Sequence, residues 1–201
     1  MIPKLTDLFV AGGGPAGLCT AIAARRRGLD VIVADASRPP IDKACGEGIM
    51  PDGLAAARIL GLSLDQLPGY HFPGIRFWDG EKSVEAMFPR GPGLGLRRTV
   101  LHEALVRHAA AAGVQFAWGM PVTGVENGAV LLDDERITTR WIVGADGSQS
   151  RVRHWAGLDT TRGLRQRYGF PPPLPHRAVD RHDGNSLGPQ LPDLHHARGS
   201  T

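Results

Sequence analysis

At 201 residues the chain has room for one ordinary domain, or one domain with part of a second, and not for a multi-domain assembly. Hydrophobic residues at 42% and charged residues at 21% exclude a disordered, collagen-like or coiled-coil whole, while 27 glycines and 16 prolines against six Phe and two Tyr announce many tight turns. The formal charge of +3 gives no broad basic face: residues 1–161 hold 17 basic and 17 acidic side chains, and the excess starts at Arg162, Arg165 and Arg167, so no nucleic-acid partner is expected. Cys19 and Cys45 cannot build a disulfide framework and fit a reducing, cytoplasmic setting. No stretch reaches the roughly 20 apolar residues of a membrane-spanning helix. The first apolar run, Leu8 to Ala11, ends in glycines without a secretory cleavage site.

In chain order, Leu5 to Ala11 has the pattern of a buried parallel strand that ends at a tight turn. Ala16 to Arg27 predicts a helix, with Leu18, Ala21, Ile22 and Ala24 as its apolar positions, three arginines in its last turn and Gly28 as C-cap. Asp30 to Asp35 predicts a second buried strand, so residues 5–35 form one βαβ unit with a right-handed crossover. Ser37 to Gly48 reads as loop, and Asp52 to Leu60 as a short helix closed by Gly61. Ile75–Trp78 and Ser83–Phe88 predict a hairpin, with Asp79-Gly80 favouring a type I′ turn. Val100 to Ala112 predicts an amphipathic helix with Leu101, Leu105, His108 and Ala112 on one face and Gly113 as cap. Three short strands follow, Val114–Trp118, Val122–Glu126 and Ala129–Asp133, the last two joined by a turn at Asn127-Gly128. Arg140 to Ala145 predicts a returning buried strand that delivers Asp146 and Gly147 to its carboxyl end. Residues 171–201 differ in kind: six prolines, four of the eight histidines and no Phe, Trp, Tyr or Ile predict irregular or disordered structure.

Gly12-Gly13-Gly14-Pro15-Ala16-Gly17 satisfies the G-x-G-x-x-G pattern where it carries meaning, directly after a strand and opening a helix. Gly12 permits the turn, Gly14 lets backbone approach a pyrophosphate, and Gly17 lets the helix pack on the strand. The phosphates, with Pro15 and Ala16 beside them, would sit on free N–H groups at the positive end of the helix. Asp35, 18 positions after Gly17, stands where a carboxylate accepts hydrogen bonds from ribose hydroxyls and would repel a 2′-phosphate. The bland alternative is a glycine-rich turn with no ligand.

The segment Val10 to Leu18 resembles the FAD site of flavoprotein monooxygenases related to p-hydroxybenzoate hydroxylase, and of the similar geranylgeranyl reductases and flavin-dependent halogenases. Asp42 to Pro51, with its Lys43-Ala44-Cys45-Gly46-Glu47-Gly48 core, is similar to the loop after the second strand in these oxidoreductases. Trp141 to Arg153 is similar to their internal Asp-Gly motif. The resemblance covers roughly residues 5–170. It implies an α/β, Rossmann-like FAD/NAD(P)-binding domain with βαβ unit, β-meander and an incomplete substrate domain, of which about 70–95 is a fragment. It implies FAD as cofactor and, in intact relatives, NAD(P)H as electron donor and a small-molecule substrate, aromatic or isoprenoid.

On that resemblance Lys43 is placed near the FAD pyrophosphate, with an ordinary surface lysine as its alternative. Arg98 is a flavin-contacting residue or a solvated arginine at a helix start. Asp146 and Gly147 line the FAD region, and Ser148 is read as the N-cap of the next helix. Cys45 lacks a CxxC partner and is read as a loop residue near flavin rather than a redox thiol. His71, His102, His108 and His154 fall at unrelated spacings, so no metal site is expected. No residue is assigned as catalytic.

The resemblance stops after Phe170, where members of the family continue into a substrate-holding sheet and a later Gly-Asp motif. Codons can be chosen for Pro171 to Gly199 so that, with one base skipped, the same DNA reads RRHYRIAPWTDMMEIHWGPSCQIYITPVG, a segment similar to what such oxidoreductases carry next. The expectation is therefore a truncated FAD-dependent oxidoreductase with weak or no turnover and a frameshift-derived tail. A stand-alone nucleotide-binding module and a nonfunctional fragment remain the alternatives.

Overall fold

The computed structural model describes residues 2–78, 80–133 and 135–159, so the readings for Asp79 and for residues 171–201 lie outside the described residues. The chain begins with the expected βαβ unit: β1 (Leu5–Ala11), α1 (Pro15–Arg25) and β2 (Val31–Asp35). Pro15 opens α1 at a position whose N–H has no intrahelical acceptor, so the missing donor is harmless there. The helix stops short of the predicted Arg27 because Gly28 turns into the left-handed region at φ 81°. The three arginines close more than their own helix. Arg25 donates to the carbonyls of Leu29 at 2.8 Å and Ala112 at 3.0 Å, Arg26 to that of Ile59 at 2.5 Å, and Arg27 to that of Ala23 at 3.1 Å.

After a loop come β3 (Gly48–Ile49), α2 (Pro51–Ile59), a 3₁₀ turn at Leu64–Gln66, β4 (Tyr70–Phe72), β5 (Gly74–Trp78), β6 (Ser83–Met87) and β7 (Gly93–Gly95). Then follow α3 (Arg98–Ala111), β8 (Gln115–Trp118), β9 (Val122–Glu126), β10 (Ala129–Leu132), β11 (Glu135–Gly144) and α4 (Arg151–Trp155). The main sheet runs β8-β2-β1-β11-β10-β9. Its first four strands are parallel, and β9, β10 and the start of β11 form the antiparallel meander. Alternation along β1 and β2 divides the core: Leu8, Val10, Val31 and Val33 face Leu18, Ile22, Leu105 and Ala109, while Phe9, Ala11, Ile32 and Ala34 face Val130, Leu132 and Ile137. Two smaller sheets, β3-β7-β4 and the β5-β6 hairpin, are not hydrogen-bonded to the main one, although Leu94 of β7 packs into its core. Among the described residues no helix is long and apolar enough to cross a membrane.

The expected hairpin pairs Trp78 with Ser83. Two expectations need correction. Of the face expected for α3, Leu101, Leu105, His108 and Ala112, Leu105 alone is fully buried; the helix buries His102, Ala104, Leu105 and Ala109, because Ala109 and not His108 joins the core. The returning strand starts at Glu135, pairing first with β10 and then with β1, and it is not wholly buried. Trp141 is 48% exposed, its ring covered by the Arg140 guanidinium at 4.3 Å.

Candidate nucleotide cleft

The loop between β1 and α1 follows from what each glycine meets. Gly12 has φ 110°, and an added Cβ would lie 2.2 Å from the Ala145 carbonyl oxygen, so this glycine lets the loop pass close against the end of β11. At Gly17 the added Cβ would lie 1.9 Å from the Gly12 oxygen, which is the close packing of helix on turn. Gly13 is confined by the Trp118 ring, 2.2 Å from its notional Cβ. At Gly14 an added Cβ would meet nothing within 4 Å. That open space is a cleft of about 530 Å³ at the carboxyl ends of β1 and β2 and beyond the end of β11, at the N-terminus of α1.

The cleft brings together Gly12, Gly14, Pro15, Ala16, Asp35, Lys43, Arg98, Asp146 and Gly147. Of the sequence-predicted site residues only Gly17 does not line it, because it is buried beneath the loop. No side chain caps the N-terminus of α1 and no acidic residue stands in its first turn, so its positive end is not offset within the helix. Lys43, Arg98 and Arg151 add three cationic side chains to the walls.

Asp35 has a second task. Its Oδ2 accepts the Gly13 N–H at 2.8 Å and its Oδ1 the Ser37 N–H at 2.8 Å, so the carboxylate ties the glycine loop to the segment after β2. Each oxygen keeps a lone pair for a further donor. Arg98 opens α3. Its backbone N–H donates to Glu47 Oε1 at 2.9 Å, while its buried side-chain Nε has no protein partner. Glu47, at φ 53°, also accepts the Leu96 N–H on its carbonyl at 2.7 Å, and so ties the loop before β3 to α3.

Asp146 lines the cleft, yet its carboxylate is turned to α4: Oδ1 accepts the Ser150 hydroxyl at 2.5 Å, and Oδ2 accepts the N–H groups of Arg151 at 2.8 Å and Val152 at 3.2 Å. Burial alone would raise its pKa, but the hydrogen bonds from Ser150 and from the Val152 and Arg151 amides outweigh it and hold the carboxyl below its ordinary range. The N-cap of α4 is Ser150, whose Oγ accepts the Arg153 N–H at 3.0 Å, and not Ser148 as the sequence reading had it. Ser148 instead offers its carbonyl to the Arg153 guanidinium at 3.2 Å. Cys19 and Cys45 are both free, and burial pushes the Cys19 thiol up.

Sequence reasoning passed over His102 and Trp118. His102 is fully buried, with Nε2 2.8 Å from the Gly13 carbonyl oxygen and its ring edge-on to Trp118. The available signal was the three-residue spacing to Leu105 on α3 combined with an aromatic at the end of β8.

The model of the FAD binding domain family matches residues 5–170. Among curated proteins the chain is 35% identical over 160 residues to menaquinone reductase of Mycolicibacterium smegmatis, covering 73% of this chain and 38% of that one. It is 30% identical over 169 residues to digeranylgeranylglycerophospholipid reductase of Methanosarcina acetivorans, covering 77% and 41%. Among solved structures it is similar to the tetrameric form of 2-methyl-3-hydroxypyridine-5-carboxylic acid oxygenase, with a TM-score of 0.68, 34% identity and coverage of 77% and 43%. The chain spans 38% to 43% of the length of these relatives. A parallel sheet core, a glycine turn opening onto a cationic cleft and a family match over residues 5–170 agree, and the chain belongs to the FAD binding domain family, with FAD as its cofactor.

Proposed function

We propose that the cleft holds the adenosine diphosphate part of FAD, and that the chain serves as the cofactor-binding portion of an FAD-dependent oxidoreductase that takes electrons from NAD(P)H. The observation that carries this reading is the open space at Gly14, flanked by the uncapped end of α1 and by the orphaned Arg98 Nε. A cleft edged by a helix N-terminus and a buried guanidinium N–H without a protein acceptor fits an anionic, elongated ligand. In this reading Gly14 and Ala16 offer backbone N–H groups to the pyrophosphate, Gly12, whose N–H goes to the Ala34 carbonyl, and Pro15, which has no N–H, line it, and Lys43 and Arg98 add cations. Asp35 accepts from the ribose hydroxyls, and Gly147, held by the Asp146 turn, forms the opposite wall. FAD, when bound, supplies the redox chemistry, while these residues bind, orient and screen it.

The substrate of the longer oxidoreductase is proposed to be a small molecule, aromatic or isoprenoid, as the names of the relatives suggest. Its reaction is hydroxylation, halogenation or delivery of hydride to a double bond. A reducing, cytoplasmic setting is inferred from the two unpaired cysteines. The test is the visible spectrum of the purified 201-residue chain, together with calorimetric titration of adenosine diphosphate. The two absorption bands of an oxidised, protein-bound flavin support the reading. A colourless protein that still binds adenosine diphosphate points to a nucleotide-binding module without redox activity, and absence of both sinks the proposal.

A further inference from the structure

Resting on that reading of the cleft, we infer that His102 is a positioning residue that sets the phosphate-binding loop by donating its Nε2–H to the Gly13 carbonyl. The ring is wholly buried, and Gly13 O lies 2.8 Å from Nε2. A carbonyl oxygen only accepts, so Nε2 carries the proton. On the other side of the ring the Ile41 N–H points at Nδ1 at 3.4 Å, which calls for a lone pair there. Together these contacts select the neutral Nε2–H tautomer and suspend the imidazole between the glycine loop and the segment after β2.

The consequence for the cleft lies in how Gly13 is held. Its N–H is taken by Asp35 at 2.8 Å, its carbonyl by His102, and its Cα is pressed by the Trp118 ring. Gly12 N–H is committed to the Ala34 carbonyl at 2.7 Å. With the middle residue fixed on three sides, Gly14 and the first turn of α1 are presented to the cleft in one orientation, before any ligand arrives. Removing the imidazole would leave the Gly13 carbonyl buried without a donor, and the peptide plane would turn to seek another.

The test uses the full chain and adenosine diphosphate as the probe. His102→Gln keeps a donor NH₂ at the ε position, whereas His102→Asn places it at the δ position, out of reach of Gly13. We expect His102→Asn and His102→Leu to weaken binding about tenfold or more, corresponding to about 1.4 kcal/mol, and His102→Gln to restore most of it. A merely structural role would make affinity follow thermal stability across the three variants, and that pattern overturns the inference. A second measurement does not depend on the ligand: the long-range ¹H–¹⁵N spectrum of the His102 ring should show a protonated Nε2 and an unprotonated Nδ1. If the wild-type chain fails to bind the nucleotide, the reading of the cleft falls, and the tautomer then decides the inference by itself, an Nδ1–H ring overturning it.

Discussion

The glycines before α1 show how one residue type does unlike jobs. Gly14 faces the open cleft, whereas Gly12, Gly13 and Gly17 leave space for the Ala145 carbonyl, the Trp118 ring and the Gly12 carbonyl respectively. Substitution should separate the two classes. Gly14→Val enters open space from an ordinary extended conformation, so thermal stability should change by no more than about 1 kcal/mol, while adenosine diphosphate affinity falls at least about tenfold because the side chain fills the cleft. Gly17→Ala forces a methyl group onto backbone and should cost about 2 kcal/mol or more in denaturant titration. Asp146 carries a pH signature. Its folded pKa lies below the unfolded value, so its contribution is complete above about pH 3.9 and is lost as pH falls through the lower, folded value. Asp146→Ala should remove about 1 kcal/mol at neutral pH and flatten the acid limb of the stability profile.

At the scale of elements, apolar alternation explains the strands and glycine explains where helices stop. Gly28, Gly61 and Gly113 all take positive φ just beyond α1, α2 and α3, as their positions after apolar-periodic segments predict. The arginine run at the end of α1 was legible only as a favourable charge. In the structure Arg25 reaches the carbonyls of Leu29 and Ala112 and so joins the ends of α1 and α3. Arg25→Ala should lower stability by about 1 kcal/mol, through part-buried carbonyls left without donors, and hydrogen exchange should quicken at the end of α3 as well as at α1. The buried face of α3 was misread because helical periodicity is local, whereas the choice of face is set by partners far along the chain.

Across the whole molecule, a well-packed sheet stands beside a hairpin whose Phe77 and Val84 pair across the strands at 67% and 68% exposure. The proposal that a base inserted near Phe170 shifted the reading frame would explain why the sequence stops resembling its relatives where it does. Sequencing the locus tests it. The expected result is a single extra base followed by a continuation encoding an apolar, aromatic segment. An uninterrupted frame for residues 171–201, shared by related genes, would overturn it.

From sequence alone came the βαβ unit, the glycine turn, Asp35 at the end of the second strand and the return of Asp146 and Gly147, because each is written in a short window: periodicity, a turn residue, a fixed spacing. Nine of the ten predicted site residues, among them Lys43 and Arg98, which only the family resemblance implied, meet in one cleft. Only the tertiary structure decided that the Asp146 carboxylate faces α4, that Trp118 accounts for Gly13, and that His102 lies beneath the loop. Those outcomes depend on which long-range neighbours close around a polar atom once it leaves water, and a buried donor or acceptor must be satisfied by whatever the fold brings within 3 Å or so.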